Sequence, residues 1–253
     1  ERRGQDVKTD YTRYRLSLME NIVFGMGYLV AAAVVCIIFY DSFLPLILML
    51  PTGVYVRRLF EEYKRKRRQQ ELYLQFKDMV QALAASLSVG YSFENAFIAA
   101  HEELTRTYGK DALIVRELVL IMHEIRLHKN IEDVLADFGE RSGIREIHNF
   151  SQLVAVAKRT GGNMVQIMKT TAAGIARKVE VEMEIATMIA AKRYEQRIML
   201  VIPFLIIGYL RMVNQSYICI LYEGVAGRIV MTLCLLAGII SYFWSRKLIN
   251  IGV

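Results

Sequence analysis

The side chains able to do chemistry are few, and their spacing disarms most of them. Histidines stand at His101, His123, His128 and His148. A helical zinc site needs two of them four residues apart; no pair has that spacing, so all four read as surface or partly buried polar residues. Glu180, Glu182 and Glu184 suggest a metal or acid–base cluster. On a helix Glu180 and Glu184 share a face while Glu182 points away, and Arg177 and Lys178 lie alongside, which makes a solvated charged face. Glu102 and Glu103 read the same way. Cys36, Cys219 and Cys234 lie in or near apolar stretches, with neither metal-ligand spacing nor an even disulfide framework. They read as small apolar filler. Gly161-Gly162 offers backbone N–H groups to a phosphate at a helix start. The Gly-Lys-Ser/Thr ending of a P-loop is missing, so a helix–helix turn is the better reading. No nucleophile, metal or nucleotide constellation emerges. The chain reads as a non-enzyme, with no catalytic residue, metal or cofactor.

One concentration of charge stands out. "RRLFEEYKRKRRQQ" (57–70) sets Arg57, Arg58, Lys64, Arg65, Lys66, Arg67 and Arg68 against Glu61 and Glu62. Phe60 and Tyr63 interleave, a pattern that single-stranded nucleic acid would welcome. The run directly follows an apolar stretch, which favours a topology signal and lipid-headgroup contact instead; no nucleic acid is expected. Arg65, Lys66, Arg67 and Arg68, with Lys158 and Arg159, are the candidate contacts for lipid or an acidic partner.

These residues must be positioned by two kinds of element. The 253 residues are 54% hydrophobic yet carry 23% charged residues and a net charge of +7, which implies apolar segments separate from a charged part. The chain opens on Glu1 rather than Met, so a truncated or processed N-terminus is expected. "IVFGMGYLVAAAVVCIIFY" (22–40) has no charge and the length of about twenty residues that crosses a bilayer; a signal peptide has a shorter apolar core and a small-residue cleavage site. "FLPLILMLPTGVYV" (43–56) follows, kinked or tilted by Pro45 and Pro51, and "IMLVIPFLIIGYL" (198–210) with "IVMTLCLLAGIISYFW" (229–244) makes a second pair. The reading is four membrane helices in two hairpins. Arg and Lys crowd the N-terminus, 57–68, 192–197 and 246–247, so the positive-inside rule puts both termini in the cytoplasm.

The segment between Glu61 and Ala191 contains no proline. Leu72, Phe76, Met79, Val80, Leu83, Ala84 and Leu87 recur at helical steps, as do Phe93, Ala96, Phe97, Ala100 and Leu104. Leu118, Ile121, Met122 and Ile125, then Ile131, Val134, Leu135 and Phe138, then Ile147, Phe150, Val154 and Ala157, continue the pattern. A sixth helix starts near Met164 and runs toward the third apolar stretch. Gly90, Gly109, Gly143 and Gly161 mark helix stops; Ser92, Asp111, Asn130 and Asn163 mark starts. The expected architecture is all-α: an integral membrane protein with a cytoplasmic bundle of about six helices between two transmembrane hairpins. The divisions are 1–60 (N-terminal segment and first hairpin), 61–191 (bundle) and 192–253 (second hairpin).

The stretches "FKDMVQALAASLSVGYSFENAF", "NIEDVLADFGERSG", "FSQLVAVAKRTGGNMVQIMKTTAAGIARK", "RIMLVIPFLIIGYL" and "YICILYEGVAGRIVMTLCLLAGIISYFWSRKLINI" follow in that order from residue 76 to residue 251. Together they resemble the F-domain family of type II secretion, type IV pilus and Tad (Flp) pilus machines. A single F domain between two hairpins looks more like the Tad-type inner-membrane proteins than the duplicated-domain homologues. One departure is Asn214-Gln215-Ser216, where many relatives carry a proline. The resemblance makes Gly90, Ser92, Gly161, Gly162 and Asn163 structural turns of the F domain. It implies a platform protein of the bacterial inner membrane, coupling a cytoplasmic secretion ATPase to extraction and assembly of pilin-like subunits. Its partners would be that ATPase, a second F-domain protein or another copy of itself, the pilin-like subunits and membrane lipids. The competing class is a membrane-anchored receptor or regulator whose bundle binds a soluble signalling protein.

Overall fold

The computed structural model describes residues 8–14, 16–40, 44–160, 164–213 and 225–249. Among them the chain is helical nearly throughout and contains no strand, so the all-α expectation holds. The helices are α1 (Leu18–Tyr40), α2 (Leu44–Ser88), α3 (Phe93–Tyr108), α4 (Leu113–Arg126), α5 (Ile131–Ser142), α6 (Arg145–Thr160), α7 (Met164–Val213) and α8 (Val225–Ile249). They fall into two compact units, one of Glu1–Arg15 with Phe60–Glu180, the other of Leu16–Leu59 with Val181–Val253. Both divisions at the far side of α1 lie inside helices, so α2 and α7 contribute residues to each unit.

In the first unit the apolar stripes become the core. Every residue of the first stripe, Leu72 through Leu87, is buried, as are Ala96, Phe97, Ala100 and Leu104 of α3 and Ile147, Phe150, Val154 and Ala157 of α6. Phe76 sits at the centre, edge-on to Phe150 with ring centroids 5.3 Å apart and tilted against Phe138 at 6.3 Å. Offset and edge contacts of this kind suit the ring quadrupoles. The close approach of α5 and α6 depends on Gly139, where a Cβ would stand 3.0 Å from the backbone Cα of His148.

Helix ends follow the sequence only in part. Ser92 caps α3, its hydroxyl accepting from the Asn95 N–H at 3.4 Å, and Gly90 takes φ +97°. Gly143 ends α5 in the left-handed region, its N–H donating to the Glu140 carbonyl. Asp111 does not cap α4. The N-cap is Ala112, and the Asp111 carboxylate instead accepts from Arg116 at 3.0 Å. Asn130 occupies the N-cap of α5 without a side-chain bond to it. α4 stops without glycine, His128 itself adopting φ +60°. Gly161, Gly162 and Asn163 lie outside the described residues, and α7 begins at Met164 as expected.

In the second unit, the Glu20 carboxylate in the first turn of α1 accepts from the Ser17 N–H at 3.1 Å. Gly53 on α2 meets the Tyr28 ring of α1, where a Cβ would come within 3.0 Å. Tyr40 and Thr232 join α1 to α8 through their hydroxyls at 3.0 Å. One stretch among the described residues, Leu18–Ile37, is long and apolar enough to cross a membrane; Ile229–Gly238 is apolar but shorter. The third apolar run, 198–210, lies between Arg197 and Arg211 on α7.

Candidate functional site

The most organised polar site grows from residues 8–14, upstream of α1, a segment without any helical period. Lys8–Tyr14 is a non-helical strap of the first unit, bent at Tyr11 and Thr12. Only one of its side chains, Tyr11, is fully buried, at 2% exposure. Its phenol donates to Glu117 Oε1 at 2.9 Å, and its backbone N–H donates to the Arg141 carbonyl at 2.9 Å. Above the ring, the Arg68 guanidinium stands 4.8 Å from the centroid, a cation–π contact.

Glu117 is 1% exposed, and a carboxylate buried that deeply requires compensation. Arg141 supplies it as a fork: Nη1 to Oε1 at 3.1 Å and Nη2 to Oε2 at 2.8 Å. Two further donors are used, Nε on Asp137 at 2.9 Å and Nη1 on the Thr9 carbonyl at 3.0 Å. This bidentate geometry is the one guanidinium and carboxylate share best. Around it runs a looser ring, in which Lys8 bridges Asp137 at 3.0 Å and Glu124 at 3.5 Å, and Lys129 also pairs with Glu124.

The electrostatics are consistent with a closed site. Burial, then the neighbouring Glu117 carboxylate, push the Tyr11 phenol above its ordinary value. Burial works against the charge on Arg141, but Glu117 and Asp137 outweigh it and raise the guanidinium further. Burial likewise opposes ionisation of Asp137, and the hydrogen bonds from Lys8 and Arg141 overcome it to hold the carboxyl low. Lys129, ahead of Lys8, holds Glu124 low.

The basic run is thereby divided. Arg65 donates from Nη1 to the Thr12 carbonyl at 3.3 Å, and Arg68 covers Tyr11, so both face the strap. Gln69 continues this side, donating to the Ser142 carbonyl at 3.0 Å. Lys66 and Arg67 are exposed. At the far candidate, Lys158 pairs across to Glu132 of α5 at 2.8 Å, lowering that carboxyl, while Arg159 is exposed. The structure therefore does not gather the six candidate cations into one surface. Gly90 and Ser92 sit at an exposed turn flanked by Val89 and Tyr91, both exposed.

Tyr11, Glu117, Asp137 and Arg141 were not among the candidates from sequence. Glu117 had a readable signal: it falls in phase with Ile114, Leu118 and Ile121, a charge on the buried stripe of α4. Tyr11 had none, because a strap has no periodicity to betray which residue points inward. Among the described residues no group of three or more His, Cys, Asp or Glu is placed to hold a metal ion. The carboxylates of the network are engaged by cations, an arrangement suited to fastening one segment to another. Family models, curated proteins and solved structures contain no match to this chain.

Proposed function

We propose that the chain is a platform protein of a type II secretion or Tad pilus-like machine in the bacterial inner membrane. The observation that carries the reading is the meeting of Phe76, Phe138 and Phe150. They come from three separate stretches that resemble the F-domain family, and those stretches share one core in the first unit. In this reading the helical unit offers surfaces to a cytoplasmic secretion ATPase and to a second F-domain protein or another copy. α7, a single helix from Met164 to Val213, carries movement along the chain toward extraction of pilin-like subunits.

The same reading takes the chain as multi-pass, with four crossings and cytoplasmic termini. Support comes from apolar side chains left uncovered on α7, among them Ile198, Ile202, Leu205 and Ile206, and on α8, among them Leu233, Leu236 and Ile240. A helix apolar on its exposed faces belongs in lipid or in a protein core. Residues 41–43 and 214–224, where the external turns would lie, are outside the described residues.

Affinity purification of the full chain from solubilised native membranes tests the function. Recovery of a secretion ATPase and small prepilins is the expected outcome. Recovery of a sensor kinase or other soluble signalling protein in their place would instead establish the receptor reading.

A further inference from the structure

The strap engages Arg65 and Arg68 of the basic run, and its fastening differs in kind from the core beneath it. The aromatic cluster at Phe76 and the stripes of α2, α3 and α6 are buried by one another. The strap adds one buried side chain, Tyr11, together with hydrogen bonds and ion pairs. Removing it leaves no stranded charge: Glu117 keeps both bonds to Arg141, and Arg141 keeps Asp137. A buried pair that stays intact avoids the large penalty of a lone charge. Nor is the closed state fully satisfied. Arg65 Nε is buried with no hydrogen-bond partner among the described residues, a cost that return to water removes.

We propose that Lys8–Tyr14 is a releasable latch gating a basic docking face for an acidic segment of a protein partner. Closed, the latch holds Arg65 through the Thr12 carbonyl and Arg68 through the Tyr11 ring. Open, it returns to the surface the Arg65 and Arg68 guanidinium groups, three residues apart on one face of α2, while Lys66 and Arg67 are exposed in either state. Ionic strength tunes the balance, since the Lys8 pairs with Asp137 and Glu124 are partly exposed and screened by salt. The acidic partner rests on the candidate contacts of the proposed function; the opening of the latch does not.

Hydrogen exchange on the full chain in detergent reads the latch directly. Y11A, and the milder Y11F and K8A, are expected to speed exchange of the Tyr11 amide at least tenfold while amides of α3 and α6 keep their protection. Equal loss of protection in α3 and α6 would make the strap an ordinary part of the core, and unchanged exchange in all three variants would abolish the latch. Binding of a fluorescent ten-residue glutamate peptide reads the gate. Y11A is expected to tighten it at least threefold, with the gain erased when R65A and R68A are added. A faster strap with unaltered peptide affinity, or a gain that survives R65A and R68A, would overturn the gating. Neither readout depends on whether a secretion ATPase co-purifies.

Discussion

Gly143 and Gly90 both hold positive φ, at +63° and +97°, yet their surroundings separate them. A Cβ at Gly90 meets nothing within 4 Å, whereas one at Gly143 would lie 2.8 Å from Gln69 Nε2 and 3.0 Å from Thr12 Cγ2. Gly90→Ala therefore carries the backbone cost alone, about 1–2 kcal/mol. Gly143→Ala carries that cost and must also displace the Gln69 amide from the Ser142 carbonyl and disturb the strap. Denaturant midpoints of the two variants are expected to rank Gly143→Ala well below Gly90→Ala; equal midpoints would deny the packing any weight. A harsher residue-scale test is Glu117→Ala. It leaves the Arg141 fork with its buried partner gone, and breaking a buried pair from one side costs about 3–5 kcal/mol. Paired with Tyr11→Phe, which touches the same carboxylate, the losses are expected to be clearly less than additive in a double-mutant cycle. Strict additivity would mean that Tyr11 and Glu117 do not act through one bond.

The strap and the helices show what a sequence displays at the scale of an element. Amphipathic stripes were legible because burial repeats every three or four residues, so α2, α3, α5 and α6 could be read together with their core residues. The end of α4 was not, since its left-handed stop falls on His128, where no glycine announces it. Asp111 illustrates the opposite error: a residue type that caps well was diverted to Arg116. The strap was invisible because its binding rests on long-range pairings, Tyr11 to Glu117 and Lys8 to Asp137, that local pattern does not encode. Those pairings give the strap a pH dependence. Asp137 and Glu124 are held low in the folded protein. Groups depressed on folding contribute stability above their unfolded values of about 4 and lose it as pH falls through the folded ones. Stability followed by denaturant titration is therefore expected to decline between about pH 5 and pH 2. Lys8→Ala should flatten that decline by removing a cation from both carboxylates. An identical slope in the variant would exclude Lys8 as the cause.

At the scale of the whole molecule, the question is how many times the chain crosses the bilayer. Among the described residues α1 supplies one stretch of full length, Leu18–Ile37, while the apolar run 198–210 of α7 is bracketed by Arg197 and Arg211. Short spans are accommodated by local thinning and by flanking arginines that reach the headgroups, so four crossings remain the structural requirement of the proposed platform. In that proposed topology the crossings would have unequal reserves. A mid-helix arginine costs about 2.5–3.5 kcal/mol on insertion scales, a load the longer apolar stretch of α1 can bear and the shorter one of α7 cannot. Single-cysteine labelling in intact cells, with Cys36, Cys219 and Cys234 replaced by alanine, measures this. With four crossings, D41C and N214C react with an impermeant maleimide from outside, and K66C reacts only after the membrane is opened. Adding Leu205→Arg is expected to silence N214C while leaving D41C reactive, because the second hairpin fails to insert and the first does not depend on it. If N214C is silent without that substitution, α7 and α8 do not form an inserted hairpin. The platform reading then loses the membrane segment through which α7 would act on a subunit in the bilayer.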